Sequence, residues 1–215
     1  MFSLSSVFIL LFIVREYVAY KSYLPFKYFF TPLLTLMLVV MMILSITIHG
    51  ADRFRLMIIL SLLMAIVADT LLMIEEINFL KNGMIFFILG HVFYLGAFCI
   101  DVSFKSWNLI ILTVISALSY IYIRVLIKTA GKMLIPVLVY VLVLDLMVYF
   151  AITRLNNGVD ASGILAAAGS ILFMISDFIL SVNAFVKPIR NSTVFTWLLY
   201  APAQFLIVLS TFSSF

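Results

Sequence analysis

The sequence predicts an all-α, polytopic integral membrane protein with eight transmembrane helices. Three observations predict it. Hydrophobic residues make up 66% of the 215 and charged residues only 10%, with a mean hydropathy of +1.30; a soluble domain carries roughly a quarter charged and about half apolar residues. Apolar runs near the ~20 residues that cross a hydrocarbon core recur eight times. The segments between them are short, polar and rich in Gly, Pro and Asn, as turns require. None could hold a separate domain, so residues 1–215 read as one membrane-embedded unit whose functional groups lie between helices.

The first span, 3–20, looks superficially like a signal peptide. No basic residue precedes its apolar run and no small-residue cleavage site follows, so it is kept as a membrane helix, interrupted near its end by Arg15 and Glu16. The second, 27–48, opens on Lys27 after "YKSYLP"; the third, 55–74, follows "HGADRF" and contains Asp69. The fourth, 83–100, follows "EEINFLKNG" and carries His91 and Tyr94; the fifth, 107–124, follows "DVSFKS". The sixth, 133–152, follows "IKTAGK" and holds Tyr140 and Asp145; the seventh, 161–182, follows "TRLNNGVD" and holds Asp177. The eighth, 193–212, follows "NAFVKPIRN" and carries Tyr200 and Gln204. Asp52, Glu75, Glu76, Asp101 and Asp160 stand at helix ends, where solvation explains them.

With Arg15 assigned to the first connection, the odd-numbered connections hold nine Lys and Arg: Arg15, Lys21, Lys27, Lys81, Arg124, Lys128, Lys132, Lys187 and Arg190. The even-numbered ones hold four: Arg53, Arg55, Lys105 and Arg154. The positive-inside rule then puts the odd connections in the cytoplasm and both termini on the other face. The formal charge of +4 reads as loop and headgroup contacts, not nucleic-acid binding. The lack of a eukaryotic sorting tail selects a bacterial inner membrane. An internal echo accompanies this layout. Asp69 in "ADTLL" and Asp177 in "SDFIL" lie 108 positions apart, and the second and sixth spans open on "KYFFTP" and "KMLIP". Two parallel four-helix halves account for it, as does coincidence between short apolar strings.

Ionisable residues inside membrane helices are costly and point to function. Asp69 lies six residues before Glu75, His91 ten after Lys81, Asp177 ten before Lys187, and Tyr200 and Gln204 ten and fourteen after Arg190. At 1.5 Å per residue all five fall within roughly 10–20 Å of one face. Each also has a structural reading: an aspartate bonding a neighbouring hydroxyl, a histidine joining two helices, Asp145 pairing within the bundle. With two His and a single cysteine, Cys99, a three-His zinc site or a cysteine cluster cannot be built, and no disulfide forms within the chain. No G-x-S-x-G elbow or Gly-rich phosphate loop is present, and Ser176 and Asp177, as helix neighbours, point about 100° apart. Two carboxylates with a His and a Tyr remain, a set suited to acid–base chemistry without metal or cofactor.

The strings "ADTLLM" (68–73), "LGHVFYLGAF" (89–98), "AGSILFMISDFILSVNAF" (168–185) and "YAPAQFLI" (200–207) resemble the signature blocks of the YhhN-type membrane proteins, the lysoplasmalogenase family. The third block, around Gly169, Phe173, Ser176, Asp177, Asn183 and Phe185, is the most specific. Ala68 stands where the family typically has Gly before the aspartate, and Asp145 is not among the positions carried over from the family. The resemblance implies hydrolysis of the vinyl ether bond of lysoplasmalogens to a fatty aldehyde and a glycerophospho-ethanolamine or -choline. It implies a lysophospholipid substrate drawn from the membrane, and Asp69 and Asp177 as the catalytic pair.

The residues suit that chemistry on their own terms. Protonation of the vinyl ether's terminal carbon forms an oxocarbenium ion, which water attacks. Two close buried carboxyls tend to divide into one neutral and one ionised, as in glycosidases. One of Asp69 and Asp177 then donates the proton and the other steadies the cation and activates water, with the assignment open. His91 assists as a shuttle or support. Tyr94, Tyr140, Ser176, Asn183, Tyr200 and Gln204 are the candidates for orienting water or substrate, and Lys27 for meeting the phosphate. Two other classes stay open: a proton-coupled transporter or channel using the Asp/His relay, and a catalytically silent lipid-binding protein.

Overall fold

The computed structural model describes residues 2–74, 79–100 and 102–212. Among them, eight helices are long and apolar enough to cross a bilayer. They are α1 (Phe2–Tyr20), α2 (Leu24–His49), α3 (Arg53–Met73), α4 (Leu80–Phe98), α5 (Asn108–Thr129), α6 (Leu134–Thr153), α7 (Ala161–Ser181) and α8 (Ser192–Ser210). The chain is an integral, multi-pass membrane protein. The 21 residues of α3 or α7 span about 30 Å, the thickness of a hydrocarbon core.

Local chemistry sets the helix ends. Asp52 and Asp160, in extended backbone, accept from the amides of Arg55 (2.8 Å) and Gly163 (2.9 Å) and so cap α3 and α7. Pro25 sits in the first turn of α2, where its missing N–H costs nothing. Beyond Ser181, α7 widens into a π turn over Val182–Val186, closed where Asn183 Oδ1 accepts from the Ile189 amide at 2.9 Å. Asn191, in the left-handed region (φ 57°), then starts α8.

The expected 3–20 span matches α1 within a residue, but Arg15, assigned in the sequence to the first connection, lies inside it: it pairs with Glu16 at 2.6 Å within the protein and is 0% exposed. Three boundaries depart from the sequence expectation. α2 begins at Leu24, not 27, with Pro25 in its first turn. α4 begins at Leu80, not 83: Gly83, which reads as a turn signal, is instead the seat of Leu72, whose Cγ would lie 2.6 Å from an added Cβ. α5 continues past Arg124 to Thr129, because that guanidinium stays at the exposed surface over the Tyr120 ring. Glu75, Glu76 and Asp101 lie outside the described residues.

α3 packs closely on α4, and α7 on α8; α2 lies against α3 and α8, and α6 against α7 and α4. α1 leans on α2 and α8, while α5 rests mainly on α6. Adding four to each number turns the pairs α1/α2, α2/α3, α3/α4 and α4/α6 into α5/α6, α6/α7, α7/α8 and α8/α2, all of them present. Apolar residues such as Leu109, Ile110 and Ile135 face outward, as a lipid solvent permits. Small residues bring the inner helices together: a Cβ on Gly169 of α7 would meet the Ala203 carbonyl of α8 at 2.7 Å. At the end where α8 finishes, Arg55, 4% exposed, donates from Nε and Nη2 to the Thr211 carbonyl at 3.1 and 2.8 Å, which ties α3 to α8.

Candidate active site

Asp69 and Asp177 each stand four residues from the last residue of their helices, α3 and α7, so the two occupy one level near one face of the bundle. Both are 4% exposed. Asp69 Oδ2 accepts from Thr35 Oγ1 of α2 at 2.9 Å and from the Tyr200 hydroxyl of α8 at 3.1 Å, and Gln204 Nε2 donates to that hydroxyl at 2.7 Å. Asp177 Oδ2 accepts from the Tyr140 hydroxyl of α6 and faces His91 Nε2 of α4 at 3.5 Å. His91 Nδ1 lies 2.6 Å from the Phe87 carbonyl. A carbonyl only accepts, so the Nδ1 proton points there, and in the neutral ring Nε2 presents a lone pair to the carboxyl group. A lone pair and a carboxylate oxygen face each other comfortably only when one of them carries a proton.

The two arrangements correspond. Each aspartate receives a hydroxyl from the helix one number below its own, α2 or α6, and Thr35 and Tyr140 are 105 residues apart. Each also meets a group from α8 or α4. Thr and Tyr surround Asp69; Tyr and His surround Asp177. Between them lies an aromatic layer. The Phe173 ring is 4.7 Å from His91 and 5.1 Å from Tyr200, and Phe87 is 6.2 and 5.8 Å from the same two rings. Tyr94 packs on His91 at 6.5 Å.

A cavity of about 420 Å³ opens beside Asp177, between α5 and the group α4, α6 and α7. Its wall is apolar apart from Asp177, Tyr140, Tyr122, Ser181, Asp145 and Ser119. Tyr122 and Ser181 bond across it, joining α5 to the end of α7, and Ser119 Oγ donates to Asp145 Oδ2 at 2.5 Å. Asp69, His91 and Tyr200 are not part of this wall; they lie behind it.

Residues 26–211 match the YhhN family. The chain belongs to that family. Lysoplasmalogenase TMEM86B of Mus musculus is 30% identical over 150 residues, covering 70% of this chain and 61% of its own. TMEM86B of Rattus norvegicus is 30% identical over 132 residues, 61% of this chain and 52% of its own. Lysoplasmalogenase TMEM86A of Homo sapiens is 27% identical over 160 residues, 73% and 65% respectively. In each case the chain spans less than two thirds of the relative's length. No solved structure matches. The YhhN match contains both aspartates and all their hydrogen-bond partners, whereas α1 lies before it.

The residues singled out in the sequence divide into two clusters: Asp177 with Tyr140 and His91, on which Tyr94 packs, and Asp69 with Tyr200 and Gln204; the two acids expected as a close pair do not share the cavity, which Asp177 lines and Asp69 does not. Ser176 joins neither cluster: its hydroxyl donates to the Thr196 carbonyl at 2.9 Å and fastens α7 to α8. Asn183 closes the π turn. Lys27, 6% exposed, lies on α2 eight residues before Thr35, about 12 Å along the axis. Thr35 and Ser119 escaped notice because a hydroxyl in an apolar run carries no charge signal. Arg15 was misplaced in a connection. Its guanidinium stacks on Trp197 at 4.2 Å, and that indole meets the Tyr200 ring at 4.9 Å, so it forms the outer support of the Asp69 cluster.

Proposed function

We propose that this protein is an intramembrane hydrolase that cleaves the vinyl ether bond of lysoplasmalogens, giving a fatty aldehyde and glycerophospho-ethanolamine or -choline by aspartate acid–base chemistry without a metal ion. The observation that carries this reading is the position of Asp177. It is a buried carboxyl held by Tyr140 and His91 on the wall of an apolar cavity whose volume lies in the range of small-molecule sites. The lysoplasmalogenase names of the relatives support it. In this reading the chain comprises two four-helix halves, each supplying one aspartate, and the face bearing the site is cytoplasmic. The lipid headgroup lies at that face, and the chain occupies the gap between α5 and α7.

The cavity supports Asp177 as the donor. Asp177 hands its proton to the vinyl carbon β to the ether oxygen; the double-bond electrons form the new C–H bond, and the ether oxygen shares its lone pair to give the oxocarbenium ion. His91 and Tyr140 hold the carboxyl in place, and His91 relays protons. Asp69 acts from behind the Phe87–Phe173 layer as a negative charge that steadies the cation through a low-dielectric interior, positioned by Thr35, Tyr200 and Gln204. Water adds to the cation, and the hemiacetal collapses to aldehyde and free glycerol hydroxyl.

The test is to incubate the purified protein with lysoplasmenylethanolamine and measure aldehyde by mass spectrometry. Asp177→Asn is expected to lower kcat by about 10²-fold or more with folding retained, and Asp69→Asn to lower kcat with KM little changed. Wild-type protein that releases no aldehyde yet conducts substrate-driven protons in liposomes would replace the hydrolase with a transporter.

A further inference from the structure

Asp177 is not the only carboxyl group on the cavity wall. Asp145 of α6 shares it, while Asp69 does not. Asp145 lies five residues beyond Tyr140 on the same helix, about 7 Å further along the axis, and is half-buried. Ser119 of α5 donates to its Oδ2 at 2.5 Å. An acid paired purely for structure is expected to be enclosed with its partner between packed helices; here Asp145 and Ser119 both border open space. In a cavity otherwise lined mostly by Leu, Val, Ile, Met and Phe, the two supply adjacent polar partners, which is what a held water molecule needs.

We propose that Asp145, steadied by Ser119, is the group that holds and deprotonates the attacking water, a role separate from the proton donation assigned to Asp177. This rests on the lysoplasmalogenase reading and deepens it. The protons balance. Asp177 gives its proton to the vinyl carbon β to the ether oxygen; water oxygen bonds to the oxocarbenium carbon and its proton passes to the Asp145 carboxylate. In the collapse, the hemiacetal hydroxyl proton returns to Asp177 as the C=O bond forms, while Asp145 protonates the departing glycerol oxygen. Both acids are reset, and the sum is one water and one vinyl ether giving one aldehyde and one alcohol. Asp145 thereby becomes the water-handling member of the catalytic pair, and Asp69 the distant charge.

The experiment compares wild type, Asp145→Asn, Asp145→Ala, Asp145→Glu and Ser119→Ala for aldehyde release from lysoplasmenylethanolamine. Thermal unfolding is measured with and without a 1-O-hexadecyl lysophosphoethanolamine, which fills the cavity but has no vinyl bond. The amide of Asp145→Asn still accepts from Ser119, so its folding and its ether-lipid stabilisation are expected to match wild type while kcat falls about 10²-fold or more with KM within about twofold. Formate is expected to restore part of the Asp145→Ala rate by standing in for the missing carboxylate, and Asp145→Glu to keep part of the activity if either shorter variant misfolds. Ser119→Ala is expected to lower kcat several-fold. An active wild type with near-native Asp145→Asn overturns this inference alone. So does a joint loss of kcat, KM and ether-lipid stabilisation that formate does not rescue, since that marks a structural residue. A wild type that releases no aldehyde ends this inference together with the hydrolase reading.

Discussion

Gly169→Ala tests whether close approach of α7 and α8 builds the Asp69 cluster. The added Cβ would lie 2.7 Å from both the Ala203 carbonyl oxygen and Ile207 Cγ1, and 3.2 Å from the Ile207 amide nitrogen. Ordinary contact begins near 3.4 Å, so the helices must part by about 0.7 Å. Two of the three opposing atoms are backbone and no rotamer change moves them. The same displacement at Tyr200 would stretch its 3.1 Å bond to Asp69 toward about 3.8 Å, beyond hydrogen-bonding range. Overpacking costs ~1–3 kcal/mol, here at the upper end, and Ala returns about 1 kcal/mol of helix propensity over Gly. The net loss is about 2 kcal/mol, or a Tm drop of about 4–8 °C for a chain of this size. Gly96 is the control: its added Cβ meets only Met57 Sδ, at 3.6 Å, so Gly96→Ala should hold or slightly raise Tm. Both are measured by near-UV circular dichroism melts in one detergent. Gly169→Ala melting at or above wild type would refute the packing argument; so would an equal drop for Gly96→Ala, which would implicate glycine flexibility instead.

Two further substitutions probe the buried cations. Arg55→Met strips the Thr211 carbonyl of two charged donors and should cost about 3 kcal/mol, read as a lowered Tm with earlier proteolysis at the C-terminus, where α8 loses its tie to α3. Arg15→Met leaves Glu16, whose side chain is 13% exposed, without its partner and should cost about 3 kcal/mol. The double change Arg15→Met with Glu16→Leu should recover most of that loss, because removing both charges leaves neither uncompensated; a double variant as unstable as the single one would refute the pairing.

The eight spans were legible in the sequence because lipid imposes a one-dimensional rule: each crossing satisfies its own backbone within about 20 apolar residues. Asp69, His91 and Asp177 were legible for the same reason, since a titratable group in an apolar run stands out from its background, and their common depth followed from the helical rise. Ser176 and Asn183, drawn from the sequence block around Asp177, turn away from that carboxyl, because membership of a block does not fix direction around a helix; one faces the α8 backbone and the other its own turn. Arg15 misled because its charge suggests a boundary, while Glu16, Thr31 and Trp197 allow it to stay inside.

The sequence by itself determined the membrane architecture and which acids lie inside it, both consequences of transferring side chains out of water, which each residue type dictates locally. Only the tertiary structure decided which acids share a wall. The cavity touches Asp177 and Asp145 but not Asp69: α5 rests mainly on α6, and Phe87 on the wall and Phe173 pack against Tyr200, on the Asp69 side. That distinction depends on how helices distant in sequence pack against one another, and no single helix carries it.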